Sequence, residues 1–252
     1  MIIALYQCPE PVSVDAGLST VETALAEAAQ AGAQMLVLPE TFLPGYTQVT
    51  ATPPSGWSEV HGRLTAACQH HGVALTIGLP EYTETGVFNT ALVLGSDGRE
   101  RARYVKRQLF GPEEAAIYTA GRRDVLFDYE ETRFGLLICY DVEFPEHVRA
   151  LARQGAEVIL VPTANMMPFT NVNEIMVPSR AAENALTVVY ANYCGTSAGL
   201  TYTGLSRIIG RDGLVLAGME QTQGLCAAAV SGPDFDGASI PPATQLRDYQ
   251  GD

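Results

Sequence analysis

The stretch Gly135-Leu-Leu-Ile-Cys139-Tyr-Asp-Val-Glu-Phe-Pro-Glu146 joins an apolar run to a cysteine, after which acidic residues and a proline follow at once. The apolar run is typical of a buried strand. The whole stretch predicts a strand that carries the Cys139 thiol at its carboxyl end and then turns sharply into a helix. Open α/β sheets place ligands at the carboxyl ends of their strands, and a strand-to-helix turn can expose a nucleophile. The alternative is a core cysteine, which is the usual fate of a free thiol.

The length and charge of the chain limit the classes of protein to which it can belong. We expect its 252 residues to form a single α/β domain, with a core over residues 1–230 and a Gly-, Pro- and Asp-rich tail over residues 231–252 that covers the surface or a partner subunit. The formal net charge of −13 opposes binding to nucleic acid or to an anionic membrane surface, since both require clustered Lys and Arg. Apolar segments are interrupted well before membrane-spanning length, so no membrane partner is expected.

The cysteines indicate a reducing compartment. There are five, at positions 8, 68, 139, 194 and 226, and they contain no CxxC pair. An odd number without paired spacing predicts neither a disulfide framework nor a zinc site. The segment Met1-Ile-Ile-Ala-Leu-Tyr6 resembles a strand rather than a signal peptide. We therefore expect a cytoplasmic protein.

Apolar β-like runs alternate with helix-like segments along the chain. The first helix is predicted to start with a capping box formed by Ser19 and Glu22 and to stop at Gly32. The pairs Asp97-Gly98 and Asp212-Gly213 predict turns between strands. The predicted strands cover residues 1–7, 35–38, 73–78, 88–94, 103–106, 134–138, 158–161, 187–192 and 225–230, and further helices lie near residues 57–71, 145–154 and 177–185.

Four of the apolar runs lead into a polar side chain. These side chains are Glu40, Glu81, Cys139 and Asn165. If the strands are neighbours, their carboxyl ends bring these groups to one rim of the sheets. The sequence therefore predicts a site at that rim.

Glu40, Lys106 and Cys139 together have a chemical logic. A carboxylate at the end of a buried strand is desolvated, which raises its pKa toward the range of a general base. A nearby ammonium lowers the pKa of a thiol and can face the oxyanion formed when a carbonyl is attacked. Lys106 has a neighbour of the same charge, Arg107, and strand alternation directs one of the two inward without deciding which.

The same three residues lie in motifs that resemble a known family. The motifs are Leu-Pro-Glu40 with Pro-Gly-Tyr46, then Lys106, then Cys139-Tyr-Asp-Val-Glu-Phe-Pro-Glu146. In order and spacing they are similar to the carbon–nitrogen hydrolase (nitrilase) superfamily. Further matches are Phe88-Asn-Thr-Ala91, Arg180-Ala-Ala-Glu-Asn184, Tyr190-Ala-Asn-Tyr-Cys-Gly195 and Gly204-Leu-Ser206, so the resemblance extends from Met1 to about Val230.

The resemblance implies a fold, a chemistry and an assembly. The implied fold is a four-layer αββα sandwich that dimerises through helices and uses no metal or organic cofactor. Glu40, Lys106 and Cys139 match the family's catalytic residues. A second glutamate, common in the family between the Lys and the Cys, matches Glu114, with Glu113 as its adjacent rival. Both glutamates lie in the stretch Gly111–Gly121, which is expected to be a loop, and Ala120 stands where the family usually has a proline before the glycine that ends it.

The resemblance also narrows the substrate. Tyr140-Asp141 after the cysteine is similar to the amidase and carbamoylase branches, whereas nitrile-cleaving relatives commonly have Trp-Glu. The expected reaction is hydrolysis of small aliphatic amides to carboxylic acid and ammonia through a thioester at Cys139. The expected pocket residues are Tyr46, Tyr140, Asn165, Met166, Met167 and Phe169, and the N–H of Tyr140 would face the oxyanion. The alternatives are an N-carbamoyl amine or amino acid hydrolase, for which Arg180 would hold a carboxylate, an ω-amidase, a nitrilase, and a scaffold without activity.

Other residue patterns carry weaker predictions. Cys68, His70 and His71 share one helix, but their spacing does not direct three metal ligands to one face. Gly204-Leu-Ser206 lacks the second glycine of a serine-hydrolase elbow. We expect His147, in the helix after Cys139, to be structural.

Overall fold

The computed structural model describes residues 1–231 and 244–250. Two six-stranded sheets pack face to face and helices cover their outer sides. The prediction for the tail over residues 231–252 falls largely outside the described residues. Within them, a short helix, α6, covers Gln245–Asp248.

The first sheet contains the amino-terminal half of the chain. Its strands lie in the order β14-β1-β2-β3-β4-β5. β1, β2 and β3 are parallel, and β14, β4 and β5 add antiparallel pairs. The strands are β1 (Ile2–Gln7), β2 (Met35–Val37), β3 (Ala74–Thr83), β4 (Gly86–Leu94), β5 (Glu100–Val105) and β14 (Gly224–Ala229).

The second sheet repeats this plan. Its order is β13-β12-β9-β8-β7-β6, with β7, β8 and β9 parallel at the centre. A separate two-stranded ribbon follows β9. The strands of the sheet and then of the ribbon are β6 (Leu126–Tyr129), β7 (Thr132–Leu136), β8 (Val158–Pro162), β9 (Thr187–Ala191), β12 (Arg207–Ile209) and β13 (Val215–Gly218), followed by β10 (Thr196–Ser197) and β11 (Leu200–Thr201).

Strand alternation decides which side chains lie between the sheets. In β1, Ile3 and Leu5 belong to the core shared with the second sheet, whereas Ala4 and Tyr6 belong to the core beneath the first two helices. Successive side chains of a strand point to opposite faces, so a strand covered on both faces must be apolar throughout. This explains the continuous apolar runs in the sequence.

The helices form the two outer layers. Residues of α1 and α2 share a core with the first sheet, and residues of α4 and α5 share the core of the second. The helices are α1 (Val14–Gln30), α2 (Trp57–His71), α3 (Gly111–Ile117), α4 (Pro145–Arg153) and α5 (Val177–Asn184). The predicted four-layer αββα sandwich is confirmed.

The predicted start of the first helix was wrong. Its N-cap is Ser13, whose side chain accepts a hydrogen bond from the N–H of Ala16, and α1 begins at Val14. Ser19 lies inside the helix and donates to the carbonyl of Asp15 at 2.9 Å. The buried positions Val14, Leu18, Val21 and Leu25 carry the apolar face back to the true start, which outweighs the capping-box pattern.

Two further differences lie near the predicted rim. The segment Gly111–Ile117, expected to be a loop, is the short helix α3. The strand predicted to reach Ile138 ends at Leu136. The N–H of Ile138 donates to the side chain of Asp141 at 3.1 Å instead of to a neighbouring strand, which ends the ladder before the cysteine. No helix in residues 1–231 and 244–250 is long and apolar enough to span a bilayer.

Candidate active site

The ends of strands from both sheets meet at one rim. Glu40 follows β2 and Lys106 follows β5 in the first sheet, while Cys139 follows β7 and Asn165 follows β8 in the second. The predicted fourth strand end does not join them. β3 continues through Glu81, whose carboxylate pairs with Arg103 at 3.4 Å instead.

Lys106 is the centre of a buried ion network. Its Nζ donates to Glu40 Oε1 at 2.6 Å and to the two carboxylate oxygens of Glu114 at 2.8 and 2.9 Å. The side chains of Lys106 and Glu40 are fully buried and that of Glu114 is nearly so. The two carboxylates raise the pKa of Lys106 well above its ordinary value despite burial, so the lysine stays charged.

The structure decides between the paired candidates in the sequence. Arg107 turns away from the site and pairs with Asp124 at the surface. Glu113 is exposed on α3, whereas Glu114 faces inward and also accepts hydrogen bonds from the hydroxyl of Tyr46 at 2.8 Å and the N–H of Phe110 at 2.7 Å. Gly121 occupies the loop after Ala120, and its N–H donates to the carbonyl of Lys106 at 2.7 Å.

The two carboxylate oxygens of Glu40 differ in their hydrogen bonding. Oε1 accepts from Lys106 and, at 2.7 Å, from Nδ2 of Asn89. Oε2 is buried and has no hydrogen-bond partner among the described residues. Burial and the charge of Glu114 raise the pKa of Glu40, and Lys106 and Asn89 oppose this. A buried carboxylate oxygen with spare capacity is suited to accept a proton.

The backbone of Glu40 depends on a close approach of β3. The N–H of Phe42 donates to the carbonyl of Gly78 at 2.7 Å, and the N–H of Gly78 donates to that of Pro39 at 3.1 Å. A Cβ on Gly78 would lie 2.6 Å from the Cα of Glu40. Only glycine allows these two segments to lie so close together.

We expect Gly78→Ala to destabilise the protein by about 1–3 kcal/mol, because the added methyl group overlaps backbone that must shift. The free energy of unfolding in urea measures this. Gly62→Ala is the matched control: no atom lies within 4 Å of the added Cβ, and Gly62 is inside α2. That variant should gain up to about 1 kcal/mol from helix propensity. Equal stability of the two variants would contradict the assigned close approach.

Cys139 lies at the turn between β7 and α4. It begins a 3₁₀ helix, Cys139–Glu143, with a positive φ of 44°, a conformation that few non-glycine residues adopt. Burial, followed by the charge of Glu40, raises the pKa of its thiol, while Lys106 and the Thr163 hydroxyl oppose this. Lys106 lowers the pKa of the thiol, as expected, but burial raises it by more. A thiol whose pKa is raised needs a base to form the thiolate.

Asp141 has a buried structural role that the sequence did not indicate. Its buried carboxylate ties the cysteine turn to the lysine loop. The donors are the hydroxyl of Tyr104 (2.8 Å) and the N–H groups of Ile138 (3.1 Å), Arg107 (3.2 Å) and Gln108 (2.7 Å). The only sign in the sequence was an acid two residues after the cysteine, since three of its four partners lie 33 to 37 residues earlier.

A cavity of ≈ 200 Å³ opens in front of the thiol. It contains most of the expected pocket residues, while Met167 does not line it. The lining residues are Tyr46, Phe110, Cys139, Tyr140, Glu143, Ala164, Asn165, Met166 and Phe169. A larger depression of ≈ 530 Å³ near the starts of α1 and α2 contains no cysteine or lysine. The cavity at Cys139 is therefore where the candidate chemistry lies.

The weaker candidates have structural partners. His147 is buried and its Nε2 lies 3.0 Å from Nε2 of Gln108, and burial lowers its pKa. Cys68 is in the core and His71 lies beside Glu22. Ser206 is buried and donates to Gln7 at 2.8 Å. Arg180 holds Glu183 and backbone carbonyls and does not line the cavity.

Known proteins match this sequence and fold over nearly the whole chain. Residues 2–235 match the model of the carbon–nitrogen hydrolase family. A hydrolase encoded in the pqqF 5′ region of Pseudomonas protegens is 39% identical over 230 residues, covering 88% of this chain and 80% of its own. An (R)-stereoselective amidase of Pseudomonas sp. is 34% identical over 187 residues, which cover 72% of this chain and 67% of that amidase.

A solved structure agrees with the fold. The NitN amidase of Nesterenkonia sp. AN1 superposes with a TM-score of 0.88 at 35% identity, covering 99% of this chain and 96% of the amidase. One structure of that amidase carries acrylamide added at its active-site cysteine. The chain belongs to the carbon–nitrogen hydrolase (nitrilase) superfamily, in its amidase-like branch, and is a cysteine-dependent amidase.

Proposed function

We propose that this amidase hydrolyses small aliphatic amides to a carboxylic acid and ammonia through a thioester on Cys139. The observation that carries the proposal is the buried Glu40–Lys106–Glu114 network beside a thiol that opens into a small cavity. Three ionised groups in a core cost stability, which a purely structural role does not explain.

In the first half of the reaction, Glu40 takes the proton of the Cys139 thiol and the thiolate attacks the amide carbonyl. The oxyanion is stabilised by Lys106 and by the N–H of Tyr140, which lies in the first turn of the 3₁₀ helix, where N–H groups have no intrahelical acceptor. The C–N bond breaks as Glu40 returns its proton to the nitrogen. Ammonia leaves and the acyl group remains on sulfur.

In the second half, Glu40 takes a proton from water, and the resulting hydroxide attacks the thioester carbonyl. The C–S bond breaks, the carboxylic acid is released, and the proton returns to the thiolate. Glu114 fixes the ammonium of Lys106 with two hydrogen bonds and is itself held by Tyr46. We assign Glu114 a positioning role in both halves.

The size and lining of the cavity support a small substrate. Its ≈ 200 Å³ is below the ~300–1,000 Å³ of sites for drug-sized ligands, and its walls are mainly apolar and aromatic. A variant of the Nesterenkonia amidase was solved in complex with butyramide, and another carries the acetamide moiety of fluoroacetamide on the active-site cysteine. Both ligands are short aliphatic amides.

The test is ammonia release from a panel of short aliphatic amides, N-carbamoyl compounds, ω-amides and matching nitriles. We expect release from the short amides, with the highest kcat/KM for acyl groups of two to four carbons. Release from only the N-carbamoyl compounds, only the ω-amides or only the nitriles would replace the proposal with the corresponding alternative. No release from folded protein would contradict it.

The pH dependence of kcat/KM tests the proposed role of Glu40 as the base. Because the folded pKa of Glu40 is raised, the base is lost as pH falls through a value above the ~4.3 of an ordinary glutamate. The raised pKa of Lys106 keeps the ammonium charged through neutral and mildly alkaline pH. We expect the acid limb of log kcat/KM to have its midpoint above the ~4.3 of an ordinary glutamate. A midpoint at or below 4.3, measured with butyramide in a constant-ionic-strength buffer, would contradict the role of Glu40.

We also propose a homodimer in a reducing compartment. The dimer is implied by the family resemblance, and light scattering on the purified chain would measure it directly. The five cysteines are free thiols in the structure, which fits a reducing compartment.

A further inference from the structure

The cavity at Cys139 contains a carboxylate that the hydrolytic scheme does not use. Glu143 closes the 3₁₀ helix that begins at Cys139, and it lines the same cavity. Its side chain is half-buried. Among the residues that the structure describes, no Lys, Arg or His nitrogen lies within ion-pair distance of this carboxylate.

The two cations closest to Glu143 are engaged elsewhere. Lys106 donates to Glu40 and Glu114. Arg180 donates to the carbonyls of Val142 at 3.2 Å and Glu143 at 2.8 Å and to the carboxylate of Glu183. Burial raises the pKa of Glu143, and the charges of Lys106 and Arg180 only oppose this from a distance. The carboxylate is thus left to interact with what enters the cavity.

Aromatic rings form much of the remaining wall. Tyr46, Phe110, Tyr140 and Phe169 line the cavity together with Glu143. The ring of Phe110 meets those of Tyr140 and Phe169 edge to face, with centroids 5.3 and 5.9 Å apart. Aromatic faces attract cations, and a carboxylate beside them adds a charge-assisted hydrogen bond. This combination is the chemistry that recognises an alkylammonium group.

The cavity wall itself has no cationic side chain, and Lys106, outside this lining, is already paired with two carboxylates. None of the nine cavity-lining residues is Lys, Arg or His. An acyl group with a carboxylate would meet Glu143 without a compensating cation, and like charges at close range in a partly buried site repel strongly. The cavity therefore discriminates between substrates by their charge.

We propose that Glu143 makes this site selective for amides whose acyl group carries a protonated amine, such as the amides of small amino acids. The ammonium pairs with Glu143 between the aromatic rings while the amide carbonyl lies at Cys139. The proposal rests on amide hydrolysis at Cys139 and adds the charge of the substrate. It also places ω-amides of dicarboxylic acids among the poor substrates.

The kinetic test uses pairs that differ by one group, NH₃⁺ against CH₃. The pairs are alaninamide with isobutyramide, 3-aminopropanamide with butyramide, and 4-aminobutanamide with pentanamide, and succinamate supplies the anionic case. We expect the charged member of at least one pair to have a kcat/KM at least about tenfold higher, equivalent to about 1.4 kcal/mol. Succinamate should be at least about tenfold poorer than butyramide.

The variant Glu143→Gln keeps the shape of the side chain and removes its charge. It should bring the ratio between the charged and neutral members close to one and improve succinamate relative to butyramide. Glu146→Gln is the matched control, because Glu146 is exposed on α4 and does not line the cavity. Its ratio should equal that of the wild type. A preference for the neutral members, or an unchanged ratio in Glu143→Gln, would overturn the proposal.

A binding measurement separates this proposal from the one on which it rests. Calorimetry of Cys139→Ala with 3-aminopropanamide and butyramide needs no turnover, and Cys139→Ala/Glu143→Gln supplies the comparison. Tighter binding of the charged amide that is lost in the double variant supports the role of Glu143 even if no amide is hydrolysed. Equal affinities, with butyramide hydrolysed by the wild type, would overturn the role of Glu143 and leave the amidase proposal intact.

Discussion

Replacing Cys139 by alanine is expected to lower kcat for butyramide by at least about a thousandfold, because no other side chain can form the thioester. The fold should persist. Alanine retains the Cβ of the original residue, and the turn is held by Asp141 through hydrogen bonds that do not involve sulfur. Ammonia release and the free energy of unfolding in urea, measured on the same preparation, check both statements.

The control for Cys139→Ala is Cys226→Ala, which removes a half-buried thiol in β14, away from the cavity. It should keep most of the wild-type activity. Iodoacetamide should label Cys139 in the wild type faster than the other four cysteines, because Glu40 can take its proton as it reacts. Activity above a tenth of wild type in Cys139→Ala would mean that another group is the nucleophile.

Replacing Lys106 by methionine is expected to damage both stability and catalysis. The variant leaves the carboxylates of Glu40 and Glu114 buried without a counter-charge, and losing one partner of a buried pair typically costs about 3–5 kcal/mol. It also removes the proposed oxyanion donor. Arg107→Met is the matched control: the side chains of Arg107 and its partner Asp124 keep 27% and 23% of their exposure, so the loss should be smaller than in Lys106→Met, whose partners are buried.

Part of the cost should be recovered by a second substitution. In Lys106→Met/Glu114→Gln the number of orphaned carboxylates falls to one, so the double variant should be more stable than the sum of the two single changes predicts. Strict additivity would show that the three groups do not act as one network.

The pH dependence of the stability of Lys106→Met tests the buried ion network independently. Without the ammonium, the pKa of the buried Glu40 carboxyl in the folded state rises further above the ~4.3 of the unfolded chain. The folded state then binds more protons than the unfolded state, so stability falls as pH rises through this range. Lowering the pH from 7 to 5 should therefore reduce the stability gap between the variant and wild type, and a gap that widens would contradict this.

The sequence was most informative about site residues that could be located from one apolar strand and the polar residue that follows it. The apolar run before Cys139 and the Leu-Pro before Glu40 located two strand ends, and both residues meet at the rim. The continuous apolar runs predicted buried strands, because local periodicity is visible in a single sequence. The four-layer fold was predicted from the family resemblance alone.

The rest depended on relations between distant segments. Alternation could not choose between Lys106 and Arg107, and choosing Glu114 over Glu113 needed the orientation of α3, which was expected to be a loop. The role of Asp141 depends on Gln108 and Tyr104, which are remote in sequence. The net pKa of Cys139 depends on its burial and on the charges of Glu40 and Lys106, which are remote in sequence.

The proposed catalytic groups come from different sheets, and this links the proposed reaction to the packing of the whole sandwich. Glu40 and Lys106 belong to the first sheet and Cys139 to the second, and the apolar core that includes Leu5 and Leu160 sets the spacing between them. Protein cores are packed tightly enough that the loss of one methylene group is felt by its neighbours. The distance between Glu40 and Cys139 therefore depends on core side chains that do not contact the substrate. An enzyme of this kind can lose activity when one sheet shifts slightly relative to the other, even though both sheets remain folded.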